Sequence, residues 1–130
     1  MSTAVRYYSR SGNTKAVADA IAKAAGVEAV SVDREEAKLT EAVDVLFIGG
    51  ALYAYGIDNH MKEFLKTLKK GDAKKAVVFS TSWLSKHAVD LIKKGLSDAG
   101  IPAEDEIFYV KNRPNEEQLR EAAAFAEKFI

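Results

Sequence analysis

From end to end, this chain alternates short apolar runs with longer segments whose apolar residues recur every three or four positions. Short runs of β-formers between turn residues read as strands, and the longer period reads as amphipathic helix. Residues 3–8 give a first strand, 28–32 a second, 43–48 a third, 76–80 a fourth and 107–110 a fifth. Between them come helical faces: Val17, Ala18, Ile21, Ala22 and Ala25; then Met61, Phe64, Leu65 and Leu68; then Val89, Ile92, Leu96 and Ala99. A last face follows at Leu119, Ala122, Ala123, Ala126 and Phe129. Residues 33–42 are polar and predict one weak helix or a loop. Helix ends are marked by Gly26, by Lys69-Lys70-Gly71, and by Gly100 with Pro102; starts are marked by Asp58, Ser85, and Pro114 with Asn115. Strict alternation with short links implies parallel strands joined by helical crossovers, with helices on both faces. The expectation is a single three-layer α/β/α domain over residues 1–130, its five-stranded parallel sheet ordered 2-1-3-4-5.

Composition narrows the function classes. Nineteen basic residues balance nineteen acidic ones, so no global field favours nucleic acid or a membrane surface. The basic pairs at 69–70, 74–75 and 93–94 read as solvated faces. There is no cysteine, which removes disulfides, thiolate metal sites and cysteine nucleophiles. Neither a membrane-length apolar run nor a signal-peptide pattern is visible, and a cytoplasmic location is expected. Arg6 is out of place in a doubly covered strand, where it is expected to pair with a carboxylate. His60 and His87 stand near helix starts and read as solvated or capping residues.

In a sheet of that order, ligands sit beyond the carboxyl ends of strands one and three. Three loops with unusual chemistry meet there. The first, residues 9–14, offers Ser9, Ser11, Asn13 and Thr14 as polar side chains, with Gly12 for close backbone approach, and it opens a helix. Such a helix N-terminus binds anions. The loop lacks the lysine of a P-loop and the glycine spacing of a dinucleotide loop, so a terminal monophosphate suits it better. Arg10, exposed in this loop, is expected to face water. The second loop, Ala51, Leu52, Tyr53, Ala54, Tyr55, Gly56 and Ile57, and the third, Ser80, Thr81, Ser82, Trp83 and Leu84, bring aromatics to the same rim. Tyr53, Tyr55 and Trp83 are suited to hold a flat ring between them.

Ser9-Arg10-Ser11-Gly12-Asn13-Thr14 matches the hydroxyl–x–hydroxyl–Gly–x–Thr phosphate loop of the flavodoxin family, which the chain resembles. The segment ending in Ala51-Leu52-Tyr53 is similar to that family's Gly–x–Pro–Thr–Trp/Tyr loop, with departures at Ala51 and Leu52. Phe79-Ser80-Thr81-Ser82-Trp83 is similar to the Gly-Ser-Tyr-Gly-Trp loop of the short-chain members, with Ser82 in place of glycine. The resemblance implies a flavodoxin-like fold, non-covalent FMN and one-electron transfer between redox partner proteins, a reductase and an acceptor, by a monomer. It places the phosphate on Ser9, Ser11, Gly12, Asn13 and Thr14, with Arg10 as a supplementary cofactor-binding residue of the same loop. It places the flavin ring beside Ala51, Leu52, Tyr53 or Tyr55, Gly56, Ser80, Thr81, Ser82 and Trp83. It also implies that a peptide beside Gly56 turns its carbonyl toward the flavin on one-electron reduction.

Other classes share this topology. A flavin-dependent NAD(P)H reductase needs room for nicotinamide over the ring, which a stacked Trp83 obstructs. A response-regulator receiver wants an acidic pair after strand one and an aspartate ending strand three, where Ser9-Arg10 and Gly49-Gly50 stand instead. A cofactor-free scaffold or interaction protein of the same fold is the remaining alternative.

Overall fold

The apolar run at residues 43–48 is the middle of a parallel sheet. A computed structural model of the chain describes residues 2–53, 56–82 and 86–130. The strands are β1 (Thr3–Tyr7), β2 (Ala29–Ser31), β3 (Val43–Gly50), β4 (Ala73–Thr81) and β5 (Phe108–Val110), in the order β2-β1-β3-β4-β5. The helices are α1 (Asn13–Ala25), α2 (Asn59–Thr67), α3 (His87–Asp98) and α4 (Glu116–Glu127). The expected flavodoxin-like α/β architecture and strand order are what the chain adopts.

Alternation along the buried strands sorts the core into two layers, because successive side chains point to opposite faces. Leu46, Ile48, Ala76 and Val78 meet Met61, Phe64, Leu65, Ile92 and Leu96 of α2 and α3. Val45, Phe47, Val77 and Phe79 meet Val17, Ile21, Ala122 and Phe125 of α1 and α4. Phe125, missing from the expected face of α4, is buried where the half-buried Ala123 was expected. Its ring lies edge-on to Phe129 at 5.2 Å and tilted against Phe108 at 5.6 Å.

Several boundaries move. β3 runs on through both glycines, since a Cβ at Gly49 would lie 2.3 Å from the Phe79 ring of the neighbouring strand. Only a bare backbone fits beside that phenylalanine. β4 starts three residues earlier than its apolar run and extends through Thr81. The polar segment 33–42 holds only a short 3₁₀ turn, Glu35–Ala37. Arg6 has no carboxylate partner among the described residues: its Nε donates to the Ala37 carbonyl at 2.6 Å and its Nη1 to the Val5 carbonyl at 3.1 Å. It therefore ties that turn to β1. The expected cap Ser85 lies outside the described residues. α4 starts with a reciprocal cap, Asn115 Oδ1 accepting from Gln118 N at 2.8 Å and Gln118 Oε1 from Asn115 N at 3.0 Å.

Candidate functional site at the carboxyl edge of the sheet

The first loop leaves β1 and enters α1 through Gly12, whose φ of 94° lies in the left-handed region that glycine adopts without strain. Gly12 is itself the N-cap, so no side chain caps this helix. Its first turn holds no acidic residue, unlike α4 with Glu116 and Glu117. Some loop donors are satisfied locally. Gly12 N donates to Ser9 Oγ at 2.9 Å, and Asn13 N reaches Ser11 Oγ at 3.4 Å. The backbone N–H groups of Ser11, Thr14 and Lys15 have no acceptor among the described residues. Unpaired N–H groups at an uncapped helix start, with hydroxyls around them, fit a phosphate. Ser11, Gly12 and Asn13 also line a cavity of about 430 Å³ with Ala16, Arg113, Pro114 and Leu119.

Thr14 is not a free hydroxyl at the rim. It is buried, and its Oγ1 lies 2.6 Å from Thr81 Oγ1 at the end of β4. The first and third loops thus share a hydrogen bond beneath the site.

The second loop leaves β3 at Gly50. Half-buried Ala51 and Leu52 lead to Tyr53, which forms an isolated antiparallel bridge with Gly56. Tyr53 N donates to Gly56 O at 2.7 Å, and Gly56 N returns to Tyr53 O at 3.1 Å. Gly56 has a φ of 106°. The flanking peptide proposed to turn lies partly outside the described residues, as do Ala54 and Tyr55.

Arg10 does not simply face water. Its Nε and Nη2 both donate to Asp58 Oδ2, at 3.0 and 2.6 Å, and its guanidinium carbon sits 3.9 Å from the Tyr53 ring centroid. Its backbone N–H donates to Tyr53 Oη at 3.2 Å. Asp58 is buried as the cap of α2, its Oδ1 accepting from His60 N at 2.7 Å and facing His60 Nδ1 at 2.8 Å. Burial pushes the Asp58 carboxyl up, but the hydrogen bonds from Arg10 and His60 outweigh it and hold the group below its ordinary range. Burial raises the Tyr53 phenol, and the Arg10 N–H and charge offset part of that rise. His60 also stacks on Tyr8 at 4.9 Å.

The third loop starts from a fixed base. Ser80 is fully buried and donates to Gly50 O at 2.7 Å, and Ser82 N donates to Val110 O at 3.2 Å. Tyr109 Oη donates to the Ser82 carbonyl. Ser80 and Thr81 are therefore committed to holding neighbouring loops rather than being exposed at the rim. Trp83 and Leu84 lie outside the described residues. Sequence reasoning missed Asp58 as a partner of the site and Tyr109 as an anchor, whereas Arg113, expected near the rim, does line the cavity beside the first loop. Only Asp58 left a usable signal, as an acid two residues after a loop glycine.

Comparison with known proteins supports the same reading of the fold. A flavodoxin from the domain Archaea matches with a TM-score of 0.84 at 24% identity, over 99% of this chain and 96% of that one. Oxidised flavodoxin 1 from Bacillus cereus matches at 0.81 and 25%, over 98% and 95%. The rubredoxin:oxygen oxidoreductase of Desulfovibrio gigas matches at 0.85 and 15%, over 98% of this chain and 34% of that one. No curated protein matches in sequence. A family profile described as a flavodoxin domain spans residues 4–123, from within β1 into α4. By that match this chain belongs to the flavodoxin-domain family, and flavin binding is what the membership implies.

Proposed function

We propose that the protein binds FMN without a covalent bond and carries single electrons between redox partner proteins. The observation that carries this reading is the uncapped start of α1. There Gly12 turns the chain, and the N–H groups of Ser11, Thr14 and Lys15 have no acceptor among the described residues. Those donors, with Ser9, Ser11 and Asn13, would hold the phosphate by hydrogen bonds and the helix dipole. Tyr53 and its neighbours in the second loop, with Trp83 in the third, would flank the isoalloxazine and exclude water from it. FMN, when bound, supplies the one-electron chemistry that the side chains themselves lack. An apolar aromatic wall disfavours added negative charge on the ring, which lowers the potential at which it is fully reduced. The same reading extends to a cytoplasmic monomer that works with a reductase and an acceptor.

Fluorescence titration of the apoprotein is the test. FMN should bind at least about 100-fold more tightly than riboflavin, about 2.8 kcal/mol at 1.4 kcal/mol per tenfold. That difference measures the phosphate loop alone. Equal affinity for both would remove the loop from the reading. Steady NAD(P)H oxidation by the FMN-loaded protein alone would instead make it a reductase.

A further inference from the structure

Arg10 is held at both ends. Its backbone N–H is tied to Tyr53 Oη and its guanidinium to Asp58 Oδ2 through two nitrogens. Asp58 is fixed in turn, being buried, capping α2 and bonded to His60. Between those anchors the guanidinium lies over the Tyr53 ring, 3.9 Å from its centroid. One face of Tyr53 is thus covered by a cation, and a flat ligand has only the opposite face.

We propose that Arg10 is a positioning and tuning residue of the flavin site, orienting Tyr53 and keeping a positive charge behind the ring that stacks on the flavin. The inference rests on FMN binding. Its physical basis is the ring quadrupole: a cation on one face draws π-density toward itself, leaving the other face poorer in electrons. Such a face suits an electron-rich, reduced ring better than an oxidised one. Asp58 offsets part of the cation, but the guanidinium is the charged group stacked on the ring, 3.9 Å from its centroid.

The consequence falls on the second electron. In a reductive titration dithionite supplies it and is oxidised to sulfite. The ring then gains one negative charge when no proton follows. A fixed cation behind Tyr53 favours that charge, so Arg10 raises the second one-electron potential of the bound flavin.

The experiment compares FMN-loaded wild type with Arg10→Gln, Arg10→Met and Arg10→Lys, measuring the affinity for oxidised FMN and both one-electron potentials. Arg10→Gln and Arg10→Met should lose about tenfold in affinity for fully reduced FMN relative to the one-electron-reduced form, a 59 mV drop in the second couple. Arg10→Lys keeps the charge without the planar fork and should recover part of the drop. A second couple shifted by less than the equivalent of twofold in both neutral variants overturns the proposal. So does an equal loss of affinity in every redox state, because Arg10 would then only position the loop. Failure of wild-type protein to bind FMN is seen before any potential is measured, and it removes the proposed function along with this inference.

Discussion

Thr14 Oγ1 and Thr81 Oγ1 lie 2.6 Å apart, one in the first turn of α1 and the other at the end of β4, both buried. Each hydroxyl is the other's partner, so removing one strands the other away from water. Thr14→Val or Thr81→Val alone should cost about 1–3 kcal/mol, the penalty of an unsatisfied buried group. The double variant should cost clearly less than the sum, because neither hydroxyl is then left unpaired. Urea unfolding of the four proteins gives the coupling directly, and strictly additive losses would show that the two groups do not depend on each other.

Gly12→Ala separates conformational strain from crowding. Nothing lies within 4 Å of a Cβ built there, so the left-handed φ of 94° is the only obstacle. A stability loss of about 1–2 kcal/mol is expected from backbone strain. FMN affinity should fall further, because a relaxed φ redirects the loop's N–H groups. An affinity unchanged by the substitution would mean that the loop does not cradle the phosphate.

Gly56→Ala tests the second loop. Its φ is 106°, and an added Cβ would sit 3.3 Å from Leu91 Cδ1. Reductive titration should give less one-electron-reduced flavin than wild type. An unchanged yield would take Gly56 out of any peptide rearrangement.

Gly49→Ala should be the most damaging small substitution in the sheet. The new methyl would lie 2.3 Å from the Phe79 ring and 2.6 Å from the Phe79 carbonyl oxygen. Overpacking costs about 1–3 kcal/mol and occasionally more, and a clash with backbone as well as ring puts this one at the upper end. Phe79→Leu relieves the ring but not the carbonyl, so Gly49→Ala/Phe79→Leu should remain less stable than Phe79→Leu alone. Thermal unfolding of the pair decides it.

Acid should loosen the Arg10–Asp58–His60 cluster. The Asp58 carboxyl is held below its usual 3.8 in the folded protein. A depressed carboxyl contributes stability that is fully present above the unfolded value and is lost as pH falls from about 4 through the folded value. Asp58→Asn should therefore lower stability at pH 7 and flatten its decline below pH 4. An equally steep acid limb in the variant would assign the decline to other carboxylates.

The sheet and its order were legible because burial on both faces writes long apolar runs such as 43–48, and helical crossovers write a 3.6-residue period. Residues 33–42 gave no period, and only a 3₁₀ turn is found there. Phe125 was missed on α4 because alanines at 122, 123 and 126 make an apolar stripe without it. The turn into α1 was legible from local chemistry: one glycine, several small polar side chains and a helix start. Its supports were not. Asp58 is 48 positions from Arg10 and Thr81 is 67 from Thr14, and nothing local to either partner specifies the pairing. Arg6 shows the same limit, since a backbone carbonyl leaves no mark in sequence.

The bond from Ser80 to the Gly50 carbonyl fixes how far apart two loops begin. Gly50 and Ser80 are also register partners, the last pair between β3 and β4. Whatever follows them, the second and third loops depart from one rigid doorframe. Loop sequences can therefore be exchanged among relatives or redesigned for another ring system while the doorframe keeps its width. The two loops and the scaffold that carries them are separately editable, and that separation lies at a single hydroxyl.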